Sequence, residues 1–126
     1  YSPFKDSITL PLKQQFDEGH IFLIVEMNAE TVGFASYSPD RTSGVFKVHK
    51  LYVHPMVQGK GIGKKLLERI INDIRSQKPR ALRLNVNRHN PAKSFYEKLG
   101  FAVAGEEDIP IGEGYFMNDY IMEKPL

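Results

Sequence analysis

Hydrophobic positions along the chain change period several times, and each change predicts an element. HIFLIVEM (20–27) is apolar and β-branched and reads as a buried strand. NAE (28–30) turns the chain, and TVGFASYS (31–38) returns as the second arm of a hairpin. PDRTSG (39–44) is dense in turn formers, and VFKVHKLYV (45–53) is a further strand closed by His54-Pro55. Leu66, Leu67, Ile70, Ile71 and Ile74 form one stripe of a helix expected from about Gly61 or Gly63 to about Arg75. Leu82, Leu84 and Val86 alternate in ALRLNV (81–86), a strand. Asn90-Pro91 starts a second helix, with Asn as N-cap and Pro at the first helical position. It runs through Phe95 and Leu99 to a stop at Gly100. FAVAG (101–105) and GYFMNDYIME (114–123) are the final strands, and LPLKQQFDE (10–18) reads as a short helix stopped by Gly19. The main order, β-β-β-α-β-α-β-β, predicts an α/β domain with a mixed, mostly antiparallel sheet. An antiparallel meander leads into a right-handed β-α-β crossover.

Composition narrows the class. At 126 residues, 41% hydrophobic and 25% charged, the chain fits one ordered domain with one core, residues 1–126. A net charge of +2 is too mild to argue for nucleic acid or a membrane surface as partner. The absence of cysteine removes disulfides, thiolate zinc sites and a cysteine nucleophile, and fits a reducing, cytoplasmic setting. No apolar run approaches the roughly 20 residues of a membrane span, and no secretory signal pattern is visible. The chain opens at Tyr1, which leaves room for an N-terminal part beyond it.

The stretch HPMVQGKGIGKKLLERI (54–70) places three alternating glycines and three lysines at a helix entrance. Successive bare amides and the positive end of a helix form an anion site, and phosphate or diphosphate is its natural ligand. The plainer reading is a flexible turn with solvated lysines. The spacing rules out two common motifs. Gly59 and Gly63 are one residue too close for a P-loop, and G-x-G-x-G is not the dinucleotide fingerprint.

Gln58-Gly59-Lys60-Gly61-Ile62-Gly63 matches a Q/R-x-x-G-x-G/A signature, following LYVHP, and NPAKSFYEKLGF (90–101) matches N-x-x-A-x-x-F-Y-x-x-L-G-F. With the closing MNDYIMEK, these segments resemble the GNAT superfamily of N-acetyltransferases over roughly residues 20–123. The resemblance implies acetyl-CoA as cosubstrate and an amine as acceptor, with no metal. It also implies that amides of Gly59, Lys60, Gly61, Ile62, Gly63 and Lys64 hold the diphosphate while Gln58 shapes the turn. Backbone groups of Leu51 and Val53 would bond the pantetheine arm between strands 45–53 and 81–86, which splay apart. Asn90 and Phe95 would flank the cofactor, Asn90 also serving as a helix cap.

Tyr96 is the expected general acid, because amine attack expels a thiolate that a phenol with pKa near 10 can protonate. Its alternative role is a core aromatic beside Phe95. Many family members carry a glutamate base on the strand before LYV, whereas this chain reads Lys47-Val48-His49-Lys50. His49 shares strand parity with Leu51 and Val53, and the intrinsic pKa of histidine near 6.5 suits the task, which makes it the candidate base. A structural histidine with a water chain to solvent is the alternative. Without cysteine to carry an acetyl group, direct transfer is favoured.

His20, His54 and His89 are too scattered for a metal site. Met56, Met117 and Met122 read as core or pocket filling, and Glu106-Glu107-Asp108 as a solvated loop able to attract a cationic amine. IPIGEGY (109–115), with Tyr115, is expected to line the acceptor side. A monomer or homodimer fits equally. Two other functions stay open: a non-catalytic acyl-CoA sensor, and another phosphate- or nucleotide-binding α/β enzyme.

Overall fold

The computed structural model describes residues 13–17 and 19–126, with side chains from Gly19 onward. Seven strands form one sheet among them: β1 (Lys13–Asp17), β2 (His20–Met27), β3 (Glu30–Pro39), β4 (Val45–Val53), β5 (Ala81–Asn87), β6 (Ala102–Gly112) and β7 (Tyr115–Pro125). Their spatial order is β1-β2-β3-β4-β5-β7-β6. All neighbours are antiparallel except β4 and β5, which run parallel because helix α1 (Ile62–Ile74) carries the chain across between them. Helix α2 (Ala92–Lys98) connects β5 to β6. The α/β class and the mixed sheet with its crossover are as expected.

The periodicities explain the layers. Asn28 and Ala29 both adopt positive φ, +50° and +65°, and make the tight turn between β2 and β3. Ile62, Leu66, Leu67, Ile70 and Ile74 of α1 are each at most 2% exposed, packed over Leu23, Val25, Ala35, Leu82, Leu84 and Val86. Each such side chain contributes roughly 1.5–3 kcal/mol through burial. On the opposite face of β5, Arg83 bonds Asp40 and Glu123, both at 2.8 Å, tying the end of β3 to β7. No helix among the described residues is long and apolar enough to cross a membrane.

Three expectations are corrected. Residues 13–17 form a strand instead of a helix, paired from Lys13↔Ile24 to Asp17↔His20. Gly19, at φ +81°, is the turn residue between β1 and β2. A neighbouring strand overrides local helix preference here. Residues 10–12 and 18 of that expected helix lie outside the described residues. Second, Glu106, Glu107, Asp108 and the residues up to Gly112 belong to β6, not to a loop. β6 is an edge strand exposed on both faces, so no apolar alternation announces it, and its charges suit an unpaired edge. Tyr115 sits at the hairpin tip, 69% exposed. Third, only Met122 of the three methionines is core. Met56 is 82% exposed, and Met117 lies on the outer part of β7.

Candidate active site

The glycine-rich entrance to α1 is built in steps. His54 Nδ1 accepts from the Met56 amide at 3.0 Å, and Pro55 opens a 3-10 turn over Pro55–Val57. Gln58 then folds back, its Nε2 donating to the Val53 carbonyl at 3.3 Å. Gly59 and Gly61 sit at φ +81° and +79°, where a side chain strains the backbone although nothing lies within 4 Å of a Cβ. Gly63 has a different reason. A Cβ there would meet Phe95 Cζ at 3.3 Å and Val53 Cγ2 at 3.6 Å, so its absence lets α2 close against α1. Helical bonding starts with the Lys65 amide to the Gly61 carbonyl at 3.0 Å. The amides of Ile62, Gly63 and Lys64 thus have no partner within the helix and are open to an anion. The Lys60 amide, expected to join them, is instead bonded to the Val57 carbonyl at 3.3 Å.

Of these residues, Ile62 and Gly63 border a cleft of about 580 Å³. It is lined by Leu51 and Val53 of β4, by Gln58, Gly59, Gly61, Ile62 and Gly63 at the entrance to α1, and by Asn90 and Phe95. Lys60 and Lys64 do not line it; Lys64 borders a separate hollow between α1 and β7. Pro91 and Ala92 line the cleft as well, and follow directly from the Asn90 helix start. The Asn90 side chain accepts from the Ala92 amide at 2.9 Å, the cap that its position predicts.

The cleft exists because β4 and β5 part. Their last pair is Val48↔Leu84, and beyond it the β5-facing edge of β4 is unpaired past Leu51 and Val53. One lone pair of the Val53 carbonyl is engaged by Gln58.

The same region changes the placement of His49. The β3–β4 register slips between Ser36↔Lys50 and Tyr37↔Val48, leaving His49 as the extra residue of a bulge. Val48 and Leu51 therefore both pack toward the core under α1, and His49 turns to the other face of the sheet. There its Nε2 lies 2.6 Å from Ser38 Oγ, and its ring stacks on His20 with centroids 4.2 Å apart. This corrects the parity with Leu51 and Val53. Burial, then the charge of His20, push the His49 imidazole below its ordinary value, which keeps it neutral and able to take a proton.

Tyr96 is not on the cleft wall. Its ring lies one layer behind Phe95, edge-on to it at 5.3 Å and to Phe101 at 5.7 Å. Burial raises its phenol above the ordinary value, so it holds its proton. Among the described residues no three His, Asp or Glu side chains gather as a metal site. Sequence reasoning passed over Asn85 and Asp119, whose side chains meet at 3.3 Å across 34 positions of chain. Alternation in ALRLNV turns Asn85 away from Leu84, but nothing local announces its partner.

The chain matches the family model described as the acetyltransferase (GNAT) domain over residues 3–113. It is 34% identical over 92 residues to the L-methionine sulfoximine/L-methionine sulfone acetyltransferase of Salmonella typhimurium, covering 70% of this chain and 54% of that protein. The chain thus spans about half the length of that curated relative. The 5-NmdU N-acetyltransferase of Pseudomonas phage PaMx11 is 33% identical over 104 residues, 82% of this chain and 71% of the relative. A solved PaiA N-acetyltransferase from Thermoplasma acidophilum, in complex with coenzyme A, superimposes with a TM-score of 0.67 at 29% identity. That match covers 86% of this chain and 62% of the solved one.

Proposed function

Because the chain belongs to the GNAT acetyltransferase family, we propose that it moves the acetyl group of acetyl-CoA directly onto a primary amine. The observation that carries this reading is the cleft, in which the unpaired edge of β4 and the open amides at the start of α1 face one space. The amides of Ile62, Gly63 and Lys64 would take the diphosphate. The pantetheine amides would lie along Leu51 and Val53 as a strand lies along a sheet edge, directing the thioester into the parting of β4 and β5. The cosubstrate supplies the activated acetyl group.

The amine nitrogen then bonds to the thioester carbonyl carbon, and the carbon–sulfur bond breaks. His49 takes the proton that the amine loses. Tyr96 gives its proton to the departing thiolate; burial raises its phenol above the ordinary value, so the proton is present but held more tightly than in a free phenol. The outward position of His49, beside His20 and Ser38, agrees with an acceptor arriving from the sheet face opposite α1.

Calorimetry with coenzyme A and acetyl-CoA, followed by thiol release with polyamines, aminoglycosides, amino acids and peptides, tests the reading. Binding of both coenzymes and acceptor-dependent thiol release are expected. Binding without release would leave a sensor domain, and failure to bind either coenzyme would overturn the proposal.

A further inference from the structure

Val48↔Leu84 is the last rung joining β4 to β5, so His49 and Asn85 are the first residues on the two lips of the opening. Both face away from α1. Leu84 and Val86 are in the core and Asn85 alternates with them, while His49 is held by Ser38 and His20. Behind Asn85 lies Asp119 of β7, 4% exposed, whose Oδ2 is 3.3 Å from Asn85 Nδ2. A carboxylate only accepts, so the Asn85 amide must present its NH₂ end to Asp119 and its carbonyl oxygen to the other side. Asp119 Oδ1 is buried and has no hydrogen-bond partner among the described residues.

We propose that Asn85, its amide orientation locked by Asp119, receives the N–H of an acceptor that arrives as an ammonium ion, across the parting from His49. Asn85 is half-buried and reachable, whereas Asp119 is sealed, so Asp119 acts only through Asn85 as a positioning residue. With an acceptor oxygen at the lip and a carboxylate behind it, the site suits a hydrogen-bond-donating ammonium group better than a carboxylate beside the reacting nitrogen. The acceptor class is thus a cationic amine, such as a diamine or a lysine side chain, in preference to an α-amino acid. This inference rests on the acetyltransferase reading and adds to it where the acceptor sits and what charge it bears.

The test uses protein whose saturation with coenzyme A has first been checked by calorimetry. Absence of coenzyme binding would defeat the acetyltransferase reading itself, and the titration below can still be run on the unliganded chain. With 1,4-diaminobutane as probe, the side-chain amide signal of Asn85, assigned by its loss in Asn85→Leu, is expected to shift in an ¹H–¹⁵N spectrum, and L-alanine is expected to leave it in place. In turnover with acetyl-CoA, Asn85→Leu should raise KM for the diamine about tenfold to a hundredfold, with coenzyme affinity unchanged. Asp119→Asn, which keeps the shape but frees the amide to flip, should raise the same KM and leave kcat within about threefold. Pairing Asp119→Asn with Asn85→Asp restores a donor–acceptor couple and should recover most of the loss. No amide shift with the diamine, a larger shift with L-alanine, or an unchanged diamine KM in folded Asn85→Leu would overturn the proposal.

Discussion

Replacing Gly61 by alanine isolates the reason for the glycine-rich entrance. At φ +79° the residue is left-handed, and a Cβ there meets nothing within 4 Å, so the penalty is backbone strain alone. That strain amounts to about 1–2 kcal/mol for an L-residue. In a domain of this size it lowers the melting temperature by roughly 3–10 °C. If the turn instead relaxes to negative φ, stability recovers but the amides of Ile62, Gly63 and Lys64 swing away from the cleft. Each hydrogen bond to a charged ligand is worth about 1.5–3 kcal/mol, so coenzyme A then binds about tenfold to a hundredfold more weakly per bond lost. Gly63→Ala is the control. Its φ is not left-handed, its methyl meets Phe95 Cζ at 3.3 Å, and alanine gains up to about 1 kcal/mol of helix propensity. Its melting temperature should therefore stay within a few degrees of wild type. Thermal denaturation and calorimetry with coenzyme A measure both quantities. A Gly61→Ala protein with wild-type melting and wild-type affinity would refute the assignment of strain and anion binding to this turn.

Other consequences are equally direct. Tyr96→Phe preserves the edge-on packing with Phe95 and Phe101 and should lower kcat by roughly 10²–10⁴ if the phenol protonates the thiolate; a loss under about threefold would exclude that role. For His49, whose imidazole lies below the usual value because of burial and His20, the acid limb of kcat/KM should fall below pH 6.5, with activity lost as pH drops through it. His49→Gln should abolish that limb, and an identical limb in the variant would exclude His49 as base. Asn90→Ala removes the cap on the Ala92 amide and should cost about 1 kcal/mol in urea unfolding, whereas unchanged stability would show that the cap contributes nothing.

The two helices, the strands of the meander and the glycine turn that borders the cleft were legible in the sequence because each rests on local pattern. Leu66 to Ile74 carry the helical period, and Asn90-Pro91 and the Gly59–Gly63 spacing mark helix starts. What escaped depends on neighbours remote in sequence. The bulge at His49 is a mismatch between β3 and β4, invisible in either strand alone, yet it moves the candidate base to the opposite face. β6 carries Glu106, Glu107 and Asp108 because an exposed edge has no apolar face to maintain. The Asn85–Asp119 couple joins β5 to β7 and has no local signature.

The parting of the sheet has a mechanical side. Two half-sheets meet through the rungs from Val45↔Ala81 to Val48↔Leu84 and hang free beyond them, like a seam sewn at one end. An amide-bearing arm laid in the gap would supply the missing stitches, so the cosubstrate would act as a structural member as well as a reactant. At a hundred times its dissociation constant it would add about 2.7 kcal/mol to the unfolding free energy. Resistance to proteolysis would then track cofactor supply, and a starved cell would hold less of this protein before any change in its synthesis.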